Sequence, residues 1–482
     1  MRMTLLAAAV LAPLLCSTWL PLRAEAGSDP PNVIFIMGDD LGWGDVGFNG
    51  NETIQTPHLD AMAANGLNLK RFYAAAPVCS PTRGSVVTGR HPFRYGIYFA
   101  NTGHLKKPEF TLYEAVKTRG YATGHFGKWH LGTLTTEIKD ANRAKPGNTK
   151  DYSAPWHHQV DACLVTESKV PTWDPMLVPK PVKSRKNGWP ALKPGATSEF
   201  YGTYYWTGEN QPIPPDSPEL RGDDSRVIMD AALAFIEEAV KDETPFLSVI
   251  WFHAPHLPVV AGPEYAKLYP DATEYEANYY GCITALDEQV GRLRAQLREW
   301  GVAENTMVWF CSDNGPEGRA GKAPGTAGPF RGRKRDLYEG GIRVPALLEW
   351  PARIAEARET DFPCGTVDYF PTIMAAVGFE VPDPDRPLDG IDLGPMIDGK
   401  VEKRESPLGF QSAKQLAWME HRYKLHSGDD GRTFALYDLI EDPAETTDLS
   451  GKSPEIKTRL IAELEKWRAS CRESDAGKDY RD

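Results

Sequence analysis

Cysteine is scarce in this chain of 482 residues, which has only Cys16, Cys79, Cys163, Cys282, Cys311, Cys364 and Cys471. Setting aside Cys16, in an N-terminal apolar segment, and Cys79, whose surroundings are unusual, leaves five. An odd number cannot all pair internally, which argues against a dense disulfide framework. Neither C-x-x-C nor H-E-x-x-H occurs, so the redox and zinc chemistry tied to those spacings lapses. Beyond the N-terminal segment there is no run of about 20 apolar residues able to span a bilayer. Positive charge is in deficit, with 54 Lys and Arg against 66 Asp and Glu, a formal −12. That balance argues against nucleic acid as a partner, and any anionic ligand must be held by local side chains rather than by the overall field. Internal repeats and low-complexity tracts are absent as well.

What the chain does contain is ordinary globular material, 41% hydrophobic and 25% charged, long enough for one large domain and a smaller one. Residues 1–26 read as a secretory signal peptide: Arg2 supplies the positive start, Leu5 to Leu15 the apolar core, and Ala24-Glu25-Ala26 the cleavage site. The mature protein is therefore expected to be exported, to a periplasm or the medium. The division that follows is a main domain over residues 27–385 and a C-terminal subdomain over 386–482, separated near the Pro- and Asp-rich segment Val381 to Leu393.

Buried strands are read from short continuous apolar runs: Asn32 to Met37, Pro245 to Phe252, Asn305 to Cys311 and Val344 to Trp350. Helical spacing is read over Ser225 to Asp242, Tyr275 to Trp300, Asp368 to Val377 and Ser453 to Arg472. Leu416 to Leu425 and Thr433 to Leu439 read as strands of the smaller unit. From Thr133 to Pro218 no periodicity is sustained, and that stretch reads as binding loops. Within it Trp156, His157, Trp173, Lys183, Arg185, Tyr205 and Trp206 are candidate contacts to sugar or aryl groups, with local packing the competing role for each.

Chemistry gathers where these runs end. Asp39 and Asp40 follow the first strand, and two adjacent carboxylates suit a hard cation such as Ca²⁺ or Mg²⁺. Asp313 and Asn314 follow a later one. Ser80 can cap a helix and Pro81 fits its first turn, which sets Cys79 at the positive helix end, where free amides favour anions. Arg83 lies one turn on and can clamp the same oxyanion. Lys128 and His130, two apart on an extended segment, point to one side and can bind an oxyanion and move a proton. His253 and His256 follow a strand and are both candidates for metal ligation or general acid work. In the basic, glycine-rich loop beyond, Lys322 and Lys334 are rival candidates for anion binding. Arg331, Arg333 and Arg335 are either a solvated patch or a hold on further anionic groups, and Arg343 is read as structural.

The string CSPTR followed by GSVVTGR, with DDLGWGDVG, GKWHLG, the histidine before Leu257-Pro258, and SDNG, resembles the sulfatase family across nearly the whole mature chain. The resemblance implies an α/β fold of the alkaline-phosphatase-like kind, a large mixed sheet flanked by helices, with a C-terminal antiparallel subdomain. It implies conversion of Cys79 to formylglycine by a formylglycine-generating enzyme, the aldehyde hydrate being the nucleophile. It implies a cation held by Asp39, Asp40, Asp313, Asn314 and residue 79. Catalytic roles fall to Arg83 and Lys128, which stabilise the hydrate and developing charge, and to Asp313 and His130, which take protons. His256 and Lys334 bind sulfate, and one of them protonates the leaving alcohol. The expected substrate is a sulfate monoester on a small molecule or polysaccharide. Two alternatives stay open: a phosphate or phosphonate monoester hydrolase on the same scaffold, and a non-catalytic glycan-binding protein.

Overall fold

The computed structural model describes residues 30–182, 184, 186–193, 195–379 and 386–480. The signal peptide reading, Lys183 and Arg185 lie outside these residues. The main elements, in chain order, are β1 (Asn32–Gly38), α1 (Pro57–Ala63), β2 (Leu67–Leu69), α2 (Cys79–Thr88), β3 (Ala122–Lys128), β4 (Ala162–Thr166), α3 (Asp224–Lys241), β5 (Phe246–Trp251), α4 (Glu274–Glu299), β6 (Thr306–Ser312), β7 (Ala346–Glu349), β8 (Arg358–Thr360) and α5 (Tyr369–Ala376). After them come β9 (Leu408–Ser412), β10 (Gln415–Met419), β11 (Tyr423–Ser427), β12 (Ala435–Asp438) and α6 (Pro454–Asp475).

Eight strands form the main sheet in the order β8-β2-β7-β6-β1-β5-β3-β4. Only β7 runs against the rest, since β6, β1, β5, β3 and β4 pair in parallel and β2 pairs antiparallel to β7 and parallel to β8. The apolar runs are continuous because both faces are covered. On β1, Val33, Phe35 and Met37 join the core under α2 and α5, while Ile34 and Ile36 join the one under α1, α3 and α4. The α/β architecture is as expected.

Three local readings need correction. The run Val344 to Trp350 is not one strand: Pro345 offers no N–H to a ladder, so Arg343–Val344 pairs with Phe72–Tyr73 in a small second sheet while β7 joins the main one. The run Leu416 to Leu425 is a hairpin, β10 and β11, rather than a single strand. The irregular stretch contributes β4, the edge strand of the main sheet.

The four strands β9 to β12 form an antiparallel sheet in sequence order. One face, with Phe410, Ala417 and Met419, packs on Tyr73, Leu337 and Ile342; the other, with Leu416, Trp418 and Leu425, is covered by Leu460, Leu464 and Trp467 of α6. The six described cysteines are all free, and no described helix is long and apolar enough to cross a membrane.

Candidate active site

Five neighbouring parallel strands, β6, β1, β5, β3 and β4, deliver side chains to one edge of the sheet, the carboxyl edge where open α/β sheets bind ligands. Past β1 come Asp39 and Asp40, the latter in the left-handed region at φ 68°, which Asp tolerates better than most residues. Past β6 come Asp313 and Asn314. Gly315 lets this turn press on the loop that carries Lys334: a Cβ there would lie 2.0 Å from the Gly340 carbonyl. Lys128 is the last residue of β3. His130 stands two residues further on at φ 56°, so the turn, rather than strand alternation, brings its ring to the site.

Helix α2 begins at Cys79 itself, with Val78 as its N-cap residue. Ser80 is thus inside the first turn and not the cap; its hydroxyl donates to the His130 carbonyl at 2.6 Å and ties the helix start to the end of β3. Cys79 still sits in the first turn, among free backbone amides. Burial raises its thiol above the ordinary value, although Lys128 and Lys334 pull the other way, so an unmodified Cys79 is a thiol at neutral pH.

The floor is a dense set of charges with almost no solvent exposure. Arg83 Nη2 lies 2.7 Å from Asp313 Oδ2 and 3.5 Å from Asp39 Oδ2, and its guanidinium stacks over Trp251. Lys128 Nζ is 2.5 Å from Asp39 Oδ2, and Lys334 Nζ is 2.5 Å from Asp40 Oδ1. Asn314 Nδ2 donates to Asp40 Oδ1 at 2.7 Å. Burial and the like charges of Asp39 and Asp40 push Asp313 up to about 7 even against Arg83. For Asp39 burial is outweighed by Lys128, His256, Arg83 and Lys334, which hold it well below the carboxylate range. His256 donates from Nδ1 to the Leu257 carbonyl at 2.6 Å, leaving Nε2 toward the cleft, 3.7 Å from Asp40 Oδ2.

Despite this pairing, Asp39 Oδ1, Asp40 Oδ2 and Asn314 Oδ1 are buried without a hydrogen-bond partner. Ligand atoms of Asp39, Cys79 and Asp313 lie within 4.8 Å of one another, as do those of Asp39, Asp40 and His256. Buried oxygens are seldom left open, and hard carboxylate and amide oxygens are the donors that Ca²⁺ and Mg²⁺ take. The residues present therefore fit a divalent cation.

Every residue singled out for catalysis or cation binding is in this cluster. A cleft of about 400 Å³ opens above it, lined by Cys79, His130 and His256 and, among residues the motifs did not indicate, Asn101, Lys169 and Glu317. Asn101 Oδ1 pairs with His130 Nε2 at 3.1 Å. Asn101 and Lys169 had no motif to mark them; Lys169 follows an edge strand that the pattern did not reveal.

The other candidates are placed elsewhere. Tyr205 and Trp206 are buried core, with the Tyr205 hydroxyl on Asp224 at 2.5 Å. Trp156, His157 and Trp173 do not line the cleft. His253 is held between Asp224 and Thr166, which is structural. Lys322 is exposed and away from the cleft. Arg331 stacks on Tyr338, Arg333 binds the carbonyls of Glu317 and Gly325, and Arg343 packs on Phe330. Of the basic loop only Lys334 and Arg335 reach the cleft.

Comparison with known proteins bears on the family and the fold. The Sulfatase family profile matches residues 31–379, and that of the N-sulphoglucosamine sulphohydrolase C-terminal region matches residues 328–470. The chain is 32% identical over 420 residues to N-acetylgalactosamine-6-sulfatase of Sus scrofa, covering 84% of this chain and 73% of that protein. It is 30% identical over 455 residues to steryl-sulfatase of Rattus norvegicus, covering 81% and 75%. The crystal structure of Ps i-CgsB in complex with k-i-k-neocarrahexaose shares the fold at a TM-score of 0.75 and 24% identity, covering 91% of this chain and 93% of that one.

Proposed function

The chain belongs to the sulfatase family and is a sulfuric ester hydrolase, and from that premise we propose that it cleaves sulfate monoesters on sulfated carbohydrate, using a formylglycine at position 79 and a divalent cation. The observation that carries this reading is the set of three unpartnered oxygens, on Asp39, Asp40 and Asn314, buried beside Cys79. The carbohydrate class is supported by the name of the Sus scrofa relative, which specifies a sugar sulfate. The division at residue 385, into a catalytic and a C-terminal part, belongs to the same proposal, as do export and maturation by a formylglycine-generating enzyme.

Asp39, Asp40, Asp313 and Asn314, with residue 79, would hold the cation. When present, the cation offsets the charge on the sulfate and the aldehyde hydrate supplies the nucleophilic hydroxyl. The protein's own groups do the rest. Arg83 and Lys128 fix Asp313 and Asp39 and set positive charge beneath residue 79, where charge accumulates as the ester bond breaks. Lys334 and His256 Nε2, which line the cleft with Cys79, would meet the sulfate oxygens and the leaving oxygen, and one of them would donate the proton that the alcohol needs. Asp313 and His130 accept the two protons that the hydroxyls of residue 79 give up. In sum, ester and water become alcohol and sulfate, and the enzyme is returned unchanged.

The test has two arms. Mass spectrometry of the tryptic peptide containing residue 79, taken from active enzyme, is expected to show the aldehyde; only free thiol there would refute the nucleophile. Turnover of 4-nitrophenyl sulfate is expected to exceed that of 4-nitrophenyl phosphate, and the reverse preference would make the protein a phosphatase in practice.

A further inference from the structure

The floor of the cleft is largely paired within itself, and one wall is neutralised too. Arg335, expected as one possible hold on further anionic groups, is taken by Glu317: its two terminal nitrogens lie 2.8 and 2.9 Å from the two carboxylate oxygens. Against its own burial, that pairing and Lys334 hold Glu317 down at about 2, so the pair persists at any working pH. The part of the lining that follows β4 is built differently. Lys169 stands three residues past the end of β4, half-buried, lining the cleft with Ser168. Its ammonium has no hydrogen bond or ion pair among the described residues, and Lys186, at the same cleft, is likewise unpaired. Burial, then the ammonium groups of Lys128 and Lys334, disfavour the charged form of Lys169, against a weaker pull from the Asp39 and Asp40 carboxylates. Asp39 and Asp40 are already paired with Lys128 and Lys334, so a half-buried Lys169 cation is left under-compensated and is met best by countercharge that the ligand brings. The scissile sulfate does not supply it, because in the reading above that group is already met by Lys334, His256 and the cation site.

We propose that Lys169, assisted by Lys186, is a specificity-determining residue that takes a second anionic group of the substrate, so that the preferred sugar carries another sulfate or a carboxylate besides the sulfate removed. This rests on the hydrolytic reading above and narrows it to polyanionic carbohydrate. A chain of net charge −12 has no global attraction for such a ligand, and these two lysines supply the attraction locally.

The test is competitive inhibition of 4-nitrophenyl sulfate hydrolysis by hexosamine 6-sulfate, and by the 4,6- and N,6-disulfates of the same sugar. At least one disulfate is expected to bind about tenfold tighter than the monosulfate, the effect of one charge-assisted hydrogen bond. In Lys169→Met that preference collapses by most of the tenfold, in Lys186→Met by less, and in Lys169→Arg it is kept. The loss on 4-nitrophenyl sulfate itself is expected to be much smaller than the loss on the disulfate. Equal inhibition by all three sugars in the unmodified enzyme overturns the proposal, and so does a preference that survives Lys169→Met. An equal loss on 4-nitrophenyl sulfate overturns it as well, since the ammonium would then be meeting the scissile group. Absence of any sulfate turnover counts instead against the hydrolytic reading; the same sugars, titrated calorimetrically, then decide the role of Lys169 by the same ratios.

Discussion

Two clusters of buried charge in this protein use the same residue types to opposite ends. Where the small C-terminal sheet meets the main domain, Lys424 lies 2.9 Å from both Glu339 Oε1 and Glu445 Oε1. The Tyr73 hydroxyl donates to Glu339 Oε2 at 2.8 Å, and the Glu339 amide donates to Glu445 Oε2 at 2.6 Å. All four carboxylate oxygens thus have a donor within 2.9 Å, the Glu445 Oε1 contact being an ion pair rather than an aligned hydrogen bond. At the carboxyl edge of the main sheet the charges are as deeply buried, yet three oxygens have no donor at all. Burial of charge is common to both. What separates the candidate site from the structural cluster is that its open oxygens converge beside Cys79 under a cleft, where a ligand can meet them.

The comparison is broken most severely by Lys424→Met. Removing the shared cation leaves Glu339 and Glu445 facing each other with the Arg343 guanidinium, 3.6 Å from Glu339 Oε2, as partial compensation, and breaking a buried pair from one side costs about 3–5 kcal/mol. The urea midpoint is expected to fall accordingly, while turnover per folded molecule stays near that of the unmodified enzyme. A comparable fall in turnover with an unchanged midpoint would mean that the cluster serves the chemistry after all.

His256→Ala is the converse. The imidazole makes one hydrogen bond, to the carbonyl of its own neighbour, and it lines the cleft, so its removal breaks no hydrogen bond to another element. Turnover of an aryl sulfate is expected to fall about 10²- to 10³-fold, the usual cost of one donor aimed at developing charge. Thermal stability should barely move, and a large drop in melting temperature with near-normal turnover would exchange the roles of the two clusters.

The same contrast explains what could be read from the sequence. The clustering of the candidate site was legible because the proposed ligands are adjacent pairs, Asp39-Asp40 and Asp313-Asn314, placed directly after apolar runs whose burial on both faces leaves no ambiguity of register. Cys79 and Arg83 were legible from helical spacing, though the true N-cap, Val78, was not, because its side chain makes no capping bond. Lys169 was hidden because β4 is short, pairs on one edge only and carries Cys163 and Thr166 in place of an apolar run. The hairpin β10–β11 was hidden because its turn, Glu420 to Arg422, lacks Gly, Pro, Asn and Asp. The Lys424 cluster could not be found at all: its members are charged residues 85 and 106 positions from Glu339, joined only by the fold.

A third closed cluster lets the comparison be tuned by pH. Asp389 accepts from the His91 amide at 2.6 Å, from Arg94 Nε at 2.7 Å and Nη2 at 2.9 Å, and from Trp467 Nε1 at 2.8 Å, joining α6 to the main domain. Burial alone would raise its carboxyl, but Arg94 and these hydrogen bonds win and bring it down to about 2, from 3.8 in an unstructured chain. A carboxylate whose folded value is the lower one binds fewer protons when native, so its contribution is complete above about pH 4 and disappears as the pH falls through 2. A difference of nearly two units corresponds to about 2 kcal/mol. Asp389→Asn should therefore be less stable than the unmodified protein by about that amount at pH 7, with the gap closing between pH 4 and pH 2 as measured by urea unfolding. A gap that stays constant across this range would mean that shape, and not charge, holds Asp389 in place, and the closed clusters would then be stabilised by packing rather than by the pairing that sets them apart from the open one.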